Sequence, residues 1–82
     1  MRNNDLIARW HLAWKKSTPP EVLVLLAKDE DKTVRWGVAR NVSTPAETLA
    51  LLAKDVDEDV RRYATNNLYL SGKDAGEDQP GK

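Results

Sequence analysis

Apolar residues recur along this chain with a helical period. Leu23, Leu26 and Ala27 fall on one face of a helix, and Leu49, Leu52 and Ala53 do the same further on. Val34, Val38 and Asn41 follow each other at helical spacing, matched by Val60, Ala64 and Asn67. Nearer the start, Leu6, Trp10 and Trp14 lie one turn apart. No segment alternates apolar and polar residues as a half-buried strand would. The pattern predicts five helices, over residues 4–15, 19–28, 32–41, 45–54 and 58–68. Residues 71–82, SGKDAGEDQPGK, hold no apolar residue larger than Ala and are expected to form a disordered tail.

The pattern is also written twice. STPPEVLVLLAKD (17–29) returns as STPAETLALLAKD (43–55), an offset of 26 residues. The identities continue through Asp31/Asp57, Val34/Val60, Arg35/Arg61 and Asn41/Asn67, and Ala8-Arg9-Trp10 falls under Val34-Arg35-Trp36. The domain of residues 1–70 therefore reads as a half repeat, 4–16, and two repeats, 17–42 and 43–68. Units of this length cannot bury an apolar face alone and stack on their neighbours.

Local signals mark the helix ends. Thr18-Pro19-Pro20-Glu21 and Thr44-Pro45-Ala46-Glu47 read as capping boxes, with Thr accepting from a free backbone N–H and Pro at the first helical position. The acidic turns 29–31 and 55–59 offer caps and negative charge to the second helix of each unit. Asn41 and Asn67 suit the left-handed conformation that ends helices.

The pattern TPxExLxLLAKDxDxxVR…N resembles the leucine-rich repeat variant (LRV) family, in two consecutive matches over residues 5–68. The resemblance implies an all-α fold, a right-handed superhelix or solenoid of about two and a half 26-residue helical repeats. It also implies that the second helix of a unit is short, often 3₁₀, so the Val34 and Val60 segments would be tighter or shorter than drawn above. HEAT-type repeats share the Asp…Val-Arg motif in longer units. Some LRV proteins carry an iron–sulfur segment, a trait that a chain without Cys cannot share. The family supplies no general activity.

Composition narrows the chemistry. Absence of Cys excludes disulfides, thiolate metal sites and Cys nucleophiles. The formal net charge is zero, so strong bulk attraction to nucleic acid or an anionic membrane is not expected. The longest apolar run, Val22 to Ala27, is too short to span a bilayer, and the charged N-terminus is a poor secretory signal; a cytoplasmic protein is expected. Without secretion, Asn41-Val42-Ser43 is a chance glycosylation match. Asp55-x-Asp57-x-Asp59 begins like a calcium loop, but Val60 stands where that loop needs Gly and Asn66 where it needs Glu. Helix capping and Arg pairing fit these acids better, and no metal or cofactor is expected. His11 has Gly37 and Tyr63 as repeat equivalents, so no pattern singles out an imidazole. No base–nucleophile pair is present, and no catalytic residue is assigned.

Two rows remain as candidate binding residues. Trp36 lies about 200 degrees round the helix from Val34, so Trp10, Trp14, Trp36, Arg40 and Arg62 are expected as an outward row, with the Trp rings as apolar anchors. Trp and Arg are enriched at binding hot spots. The alternative is that the rings pack over one another, or that Leu6, Trp10 and Trp14 form an ordinary buried stripe. Arg9, Arg35 and Arg61 share one repeat position and would stack in a line. They either pair with Asp31, Asp57 or neighbouring acids, or bind phosphate. With 11 basic and 10 acidic side chains in residues 1–70, pairing is the expected outcome. The sequence thus points to a non-enzymatic protein-interaction module, with nucleic-acid binding through the Arg row as the alternative. The open repeat ends, with Leu68 and Leu70 at one of them, would also permit self-association.

Overall fold

The two Thr-Pro turns start their helices in a way the motif does not suggest. Pro19 and Pro45 are extended, with ψ of 146° and 152°, and serve as N-caps; neither helix start has a side-chain cap. A residue before proline is driven away from helical ψ, which forces Pro19 out of the helix because Pro20 follows. The Thr hydroxyls turn the other way. Thr18 donates to the Leu12 carbonyl at 2.6 Å and Thr44 to the Val38 carbonyl at 2.8 Å. Each satisfies one of the carbonyls left unpaired at the end of the preceding helix. The expected capping boxes are therefore absent, and the same residues join one helix to the next.

The computed structural model describes residues 2–71, with side chains from 5 to 70. It is all-α, and no strand occurs among the described residues. The helices are α1 (Arg2–Trp14), α2 (Pro20–Leu26), α3 (Lys32–Arg40), α4 (Ala46–Leu52) and α5 (Glu58–Ser71). The Val34 segment is an α-helix one residue shorter than drawn, and the Val60 segment is α-helical and longer. The tail expected over 71–82 lies, from residue 72, outside the described residues.

The acidic turns behave as predicted. Asp31 caps α3 by accepting the Thr33 N–H at 2.8 Å, and Asp57 accepts the Val60 N–H at 3.0 Å. Asp29 and Asp55 close the turns by accepting from the N–H groups of Asp31 and Asp57, each at 2.9 Å.

The helix ends differ from expectation. Asn41 is extended (φ −76°, ψ 124°), not left-handed, and Asn67 lies inside α5. Their side chains explain both positions. Asn41 is buried and donates from Nδ2 to the carbonyls of Ala13 (2.7 Å) and Lys15 (2.9 Å). Asn67 donates to the carbonyls of Ala39 (3.0 Å) and Asn41 (2.9 Å). Each Asn reaches across to the end of the helix one unit earlier, so the asparagines form a ladder. Burial also removes Asn41 from use as a glycosylation acceptor.

Helices α1, α3 and α5 pack side by side, with α2 against α1 and α3 and α4 against α3 and α5; α3 touches every other helix. The core repeats with the sequence: Leu23/Leu49, Leu26/Leu52, Val34/Val60 and Val38/Ala64 are all buried. Each such Leu stabilises the fold by about 1.5–3 kcal/mol relative to exposure. No helix among the described residues is long and apolar enough to cross a membrane.

Candidate functional site

The aromatic residues meet on the α1–α3–α5 row. Trp10 and Trp14, one turn apart on α1, have ring centroids 5.5 Å apart. Trp14 meets Trp36 of α3 edge-on at 5.4 Å, and Trp36 meets Tyr63 of α5 at 5.6 Å. Edge-on contacts at these distances match the attraction between ring edges and ring faces. The rings do not project outward as expected. Trp10, Trp14, Trp36 and Tyr63 are half-buried and pack against the core, in company with Leu6. The indole N–H groups of Trp14 and Trp36 are buried without a hydrogen-bond acceptor.

Gly37 permits this packing. A Cβ there would lie 2.8 Å from Trp14 Cδ1 and Nε1 and 2.9 Å from the Ala13 Cβ. The bare backbone lets α3 approach α1 with the Trp14 ring between them. Tyr63, the repeat equivalent of Gly37, supplies the last ring and was not among the residues singled out from the sequence. Aligning repeats hides it, because the stacked rings are not repeat equivalents: Trp14, Trp36 and Tyr63 are separated by 22 and 27 residues instead of 26.

Arg40 is the exposed member of the group. Its guanidinium carbon lies 4.9 Å from the centre of the Trp14 ring, 4.9 Å from Tyr63 and 5.8 Å from Trp36. Contacts of this kind are worth about 0.5–1 kcal/mol each at an exposed site. No carboxylate among the described residues pairs with Arg40. Beside it lies a hollow of about 280 Å³ lined by Arg40, Val42, Tyr63, Asn66, Asn67 and Leu70. Arg62 is exposed but stands apart from the rings, paired with Glu58 one turn away at 3.1 Å.

The row of Arg9, Arg35 and Arg61 is largely engaged. Arg9 Nε bonds Asp29 at 2.6 Å, and Arg35 binds Asp55 through two donors at 2.8 and 3.1 Å. Arg35 also donates to the carbonyls of Asp29 and Glu30, and Arg61 to those of Asp55 and Val56. The Arg9 pKa is raised above its ordinary value, chiefly by the bond to Asp29. The acids that pair with the row are thus Asp29 and Asp55 of the following unit. Asp31 and Asp57 are held by their capping duty, with Lys32 at 3.6 Å from Asp57. Only Arg61 keeps Nε and Nη2 donors unpaired among the described residues.

Among the described residues, no group of three or more His, Cys, Asp or Glu side chains is placed to hold a metal ion. His11 is exposed, edge-on to Trp10 at 5.4 Å. Compared with known proteins, the chain matches no family model, no curated protein and no solved structure.

Proposed function

We propose that the chain is a non-enzymatic protein-interaction module, built as a right-handed superhelix of LRV-type repeats, that seats an acidic segment of a partner protein on Arg40. One observation carries this reading. The Arg40 guanidinium rests on the Trp14 and Tyr63 rings and has no carboxylate of its own. The rings occupy the faces of the guanidinium, while its N–H donors lie in the guanidinium plane. A side chain held this way loses less freedom when it binds a carboxylate. Val42 and Leu70 of the adjacent hollow offer apolar contact next to that charge.

The repeat part of the reading is supported by equivalent contacts one unit apart. Arg9–Asp29 is reproduced by Arg35–Asp55, the Thr18 bond by that of Thr44, and the Asn41 bonds by those of Asn67. The nucleic-acid alternative loses weight because Arg9 and Arg35 already hold carboxylates.

The test is capture from native cytosol by the wild-type chain and by Arg40→Glu, with and without nuclease. An Arg62→Ala control reports on the row outside the rings. The expected result is a partner that survives nuclease, is lost with Arg40→Glu and is kept with Arg62→Ala. Equal capture by wild type and Arg40→Glu would refute the Arg40 site. Capture that vanishes with nuclease would transfer the function to nucleic acid.

A further inference from the structure

We infer that the outer face of α1, centred on Ala8 and Leu12, is a docking site for a short amphipathic helix of another protein, similar in kind to α2 and α4. This surface is separate from Arg40. The repeat register places Ala8 under Val34 and Val60, and Leu12 under Val38 and Ala64. Those four equivalents are 0% exposed, whereas Leu12 is 40% exposed and Ala8 is also open. The difference has a visible cause. On α3 and α5 this face is covered by the helix that precedes each in the chain, α2 and α4 respectively. Helix α1 packs against α2 and α3, which both follow it.

A second observation points the same way. Ile7, next to this strip, is 54% exposed, while the equivalent positions on α3 and α5 are Thr33 and Asp59, also exposed. Position 7 is therefore apolar in the one unit whose face is bare. At the other end the chain does the reverse. Where α1 and α3 have Trp10/Trp36 and Ala13/Ala39, α5 has Arg62 and Thr65, both exposed. A polar outer face is what a terminal repeat needs to remain unpaired. The α5 side is closed to further stacking by its polarity, and the α1 side is not.

The internal helices define the occupant. α2 and α4 are seven-residue helices with Glu in the first turn, and they bury Leu23/Leu26 and Leu49/Leu52 at i, i+3. The partner helix therefore carries Leu-x-x-Leu, with a small residue next. It belongs to a separate molecule, because Asp5 lies inside α1, although its equivalents Asp31 and Asp57 precede α3 and α5. The turn that would lead in from a preceding helix is not formed. A second copy does not supply it through α2 or α4, since their Leu pairs are buried in its own core.

The probe is a synthetic peptide of residues 43–55, STPAETLALLAKD, titrated to millimolar concentration into the full 82-residue chain and followed by backbone amide NMR shifts. The expected shifts cluster at Ile7, Ala8, His11 and Leu12. Leu12→Asp weakens binding about tenfold or more, and a peptide carrying Leu49→Asp and Leu52→Asp produces no shifts. Ile7→Asp is the second variant: it places Asp where α5 already carries Asp59, so the fold tolerates it, and it also weakens binding. Arg40→Glu leaves the titration unchanged, so this site and the Arg40 site fail independently. Absence of shifts, shifts centred on α5 through displacement of α4, or dimerisation of the chain through Ile7 and Leu12 would each overturn the proposal.

Discussion

Asn41 shows how much one side chain carries in so small a core. Its amide nitrogen binds two carbonyls at the end of α1, and its oxygen accepts the Ser43 N–H at 2.8 Å. Asn41→Asp keeps the shape but turns a carboxylate oxygen toward the Ala13 and Lys15 carbonyls. The expected loss is about 2–4 kcal/mol of stability, read as a shift in urea midpoint, from two lost bonds and a buried unpaired charge. The acidic turns make a second prediction at this scale. Asp31 has a lowered pKa because the Thr33 hydroxyl, and then the Thr33 N–H, bond its carboxylate. Asp57 is lowered by the Val60 N–H foremost, with Lys32 adding to it. Both groups bind protons more weakly in the folded chain than in the unfolded one. Their contribution is complete above the unfolded value of about 4 and is lost as pH falls through the lower native values. Stability should therefore decline in acid, and an Asp31→Asn/Asp57→Asn chain should show a shallower decline in the same titration.

At the scale of elements, the Thr-Pro turns separate two readings of one motif. In a capping box both Thr44 and Glu47 would matter. In the observed arrangement Thr44 holds the end of α3 through its hydroxyl, and Glu47 is exposed. Thr44→Val should cost about 1 kcal/mol, and Glu47→Ala should stay within about 0.5 kcal/mol, both by chemical denaturation. If Glu47→Ala costs as much as Thr44→Val, the capping box forms after all. The α1–α3 contact gives a sharper case. Replacing Gly by Ala inside a helix usually gains about 1 kcal/mol. Gly37→Ala should instead lose about 1–3 kcal/mol, because the new methyl overlaps Trp14 and Ala13. A Tm that rises in this variant would show that the two helices are free to separate.

Across the whole molecule, α3 is the element on which the others depend. It contacts all four other helices and contributes Val34, Val38 and Ala39 to the core. Hydrogen exchange should find the slowest amides in α3, with earlier exchange from the bare side of α1. Uniform protection across the five helices would mean that they open as one unit. The Arg pairs act at this scale too. Arg35 and Asp55, with side chains 13% and 11% exposed, lie in successive units and tie one acidic turn to the next. Their pairing turns a row of like charges into a link between units.

Much of this was legible in the chain itself. Helical spacing of Leu23, Leu26, Val34 and Val38 predicted the helices and their buried faces, because a helix places residues three and four apart on one side. The duplicated segments predicted equivalent contacts, and the acidic turns their caps, because caps are local. What lay beyond the sequence was the partner of each polar group. Thr18 and Thr44 reach back to an earlier helix, Asn41 and Asn67 reach across a unit, and Arg9 and Arg35 choose Asp29 and Asp55 over the nearer Asp31 and Asp57. A motif lists donors and acceptors; only packed helices set which pairs come within hydrogen-bond distance. The aromatic row follows the same logic. Period and residue type placed Trp10, Trp14 and Trp36 on related positions, but the close approach at Gly37 turned those rings inward, brought in Tyr63 and left Arg40 as the exposed charge.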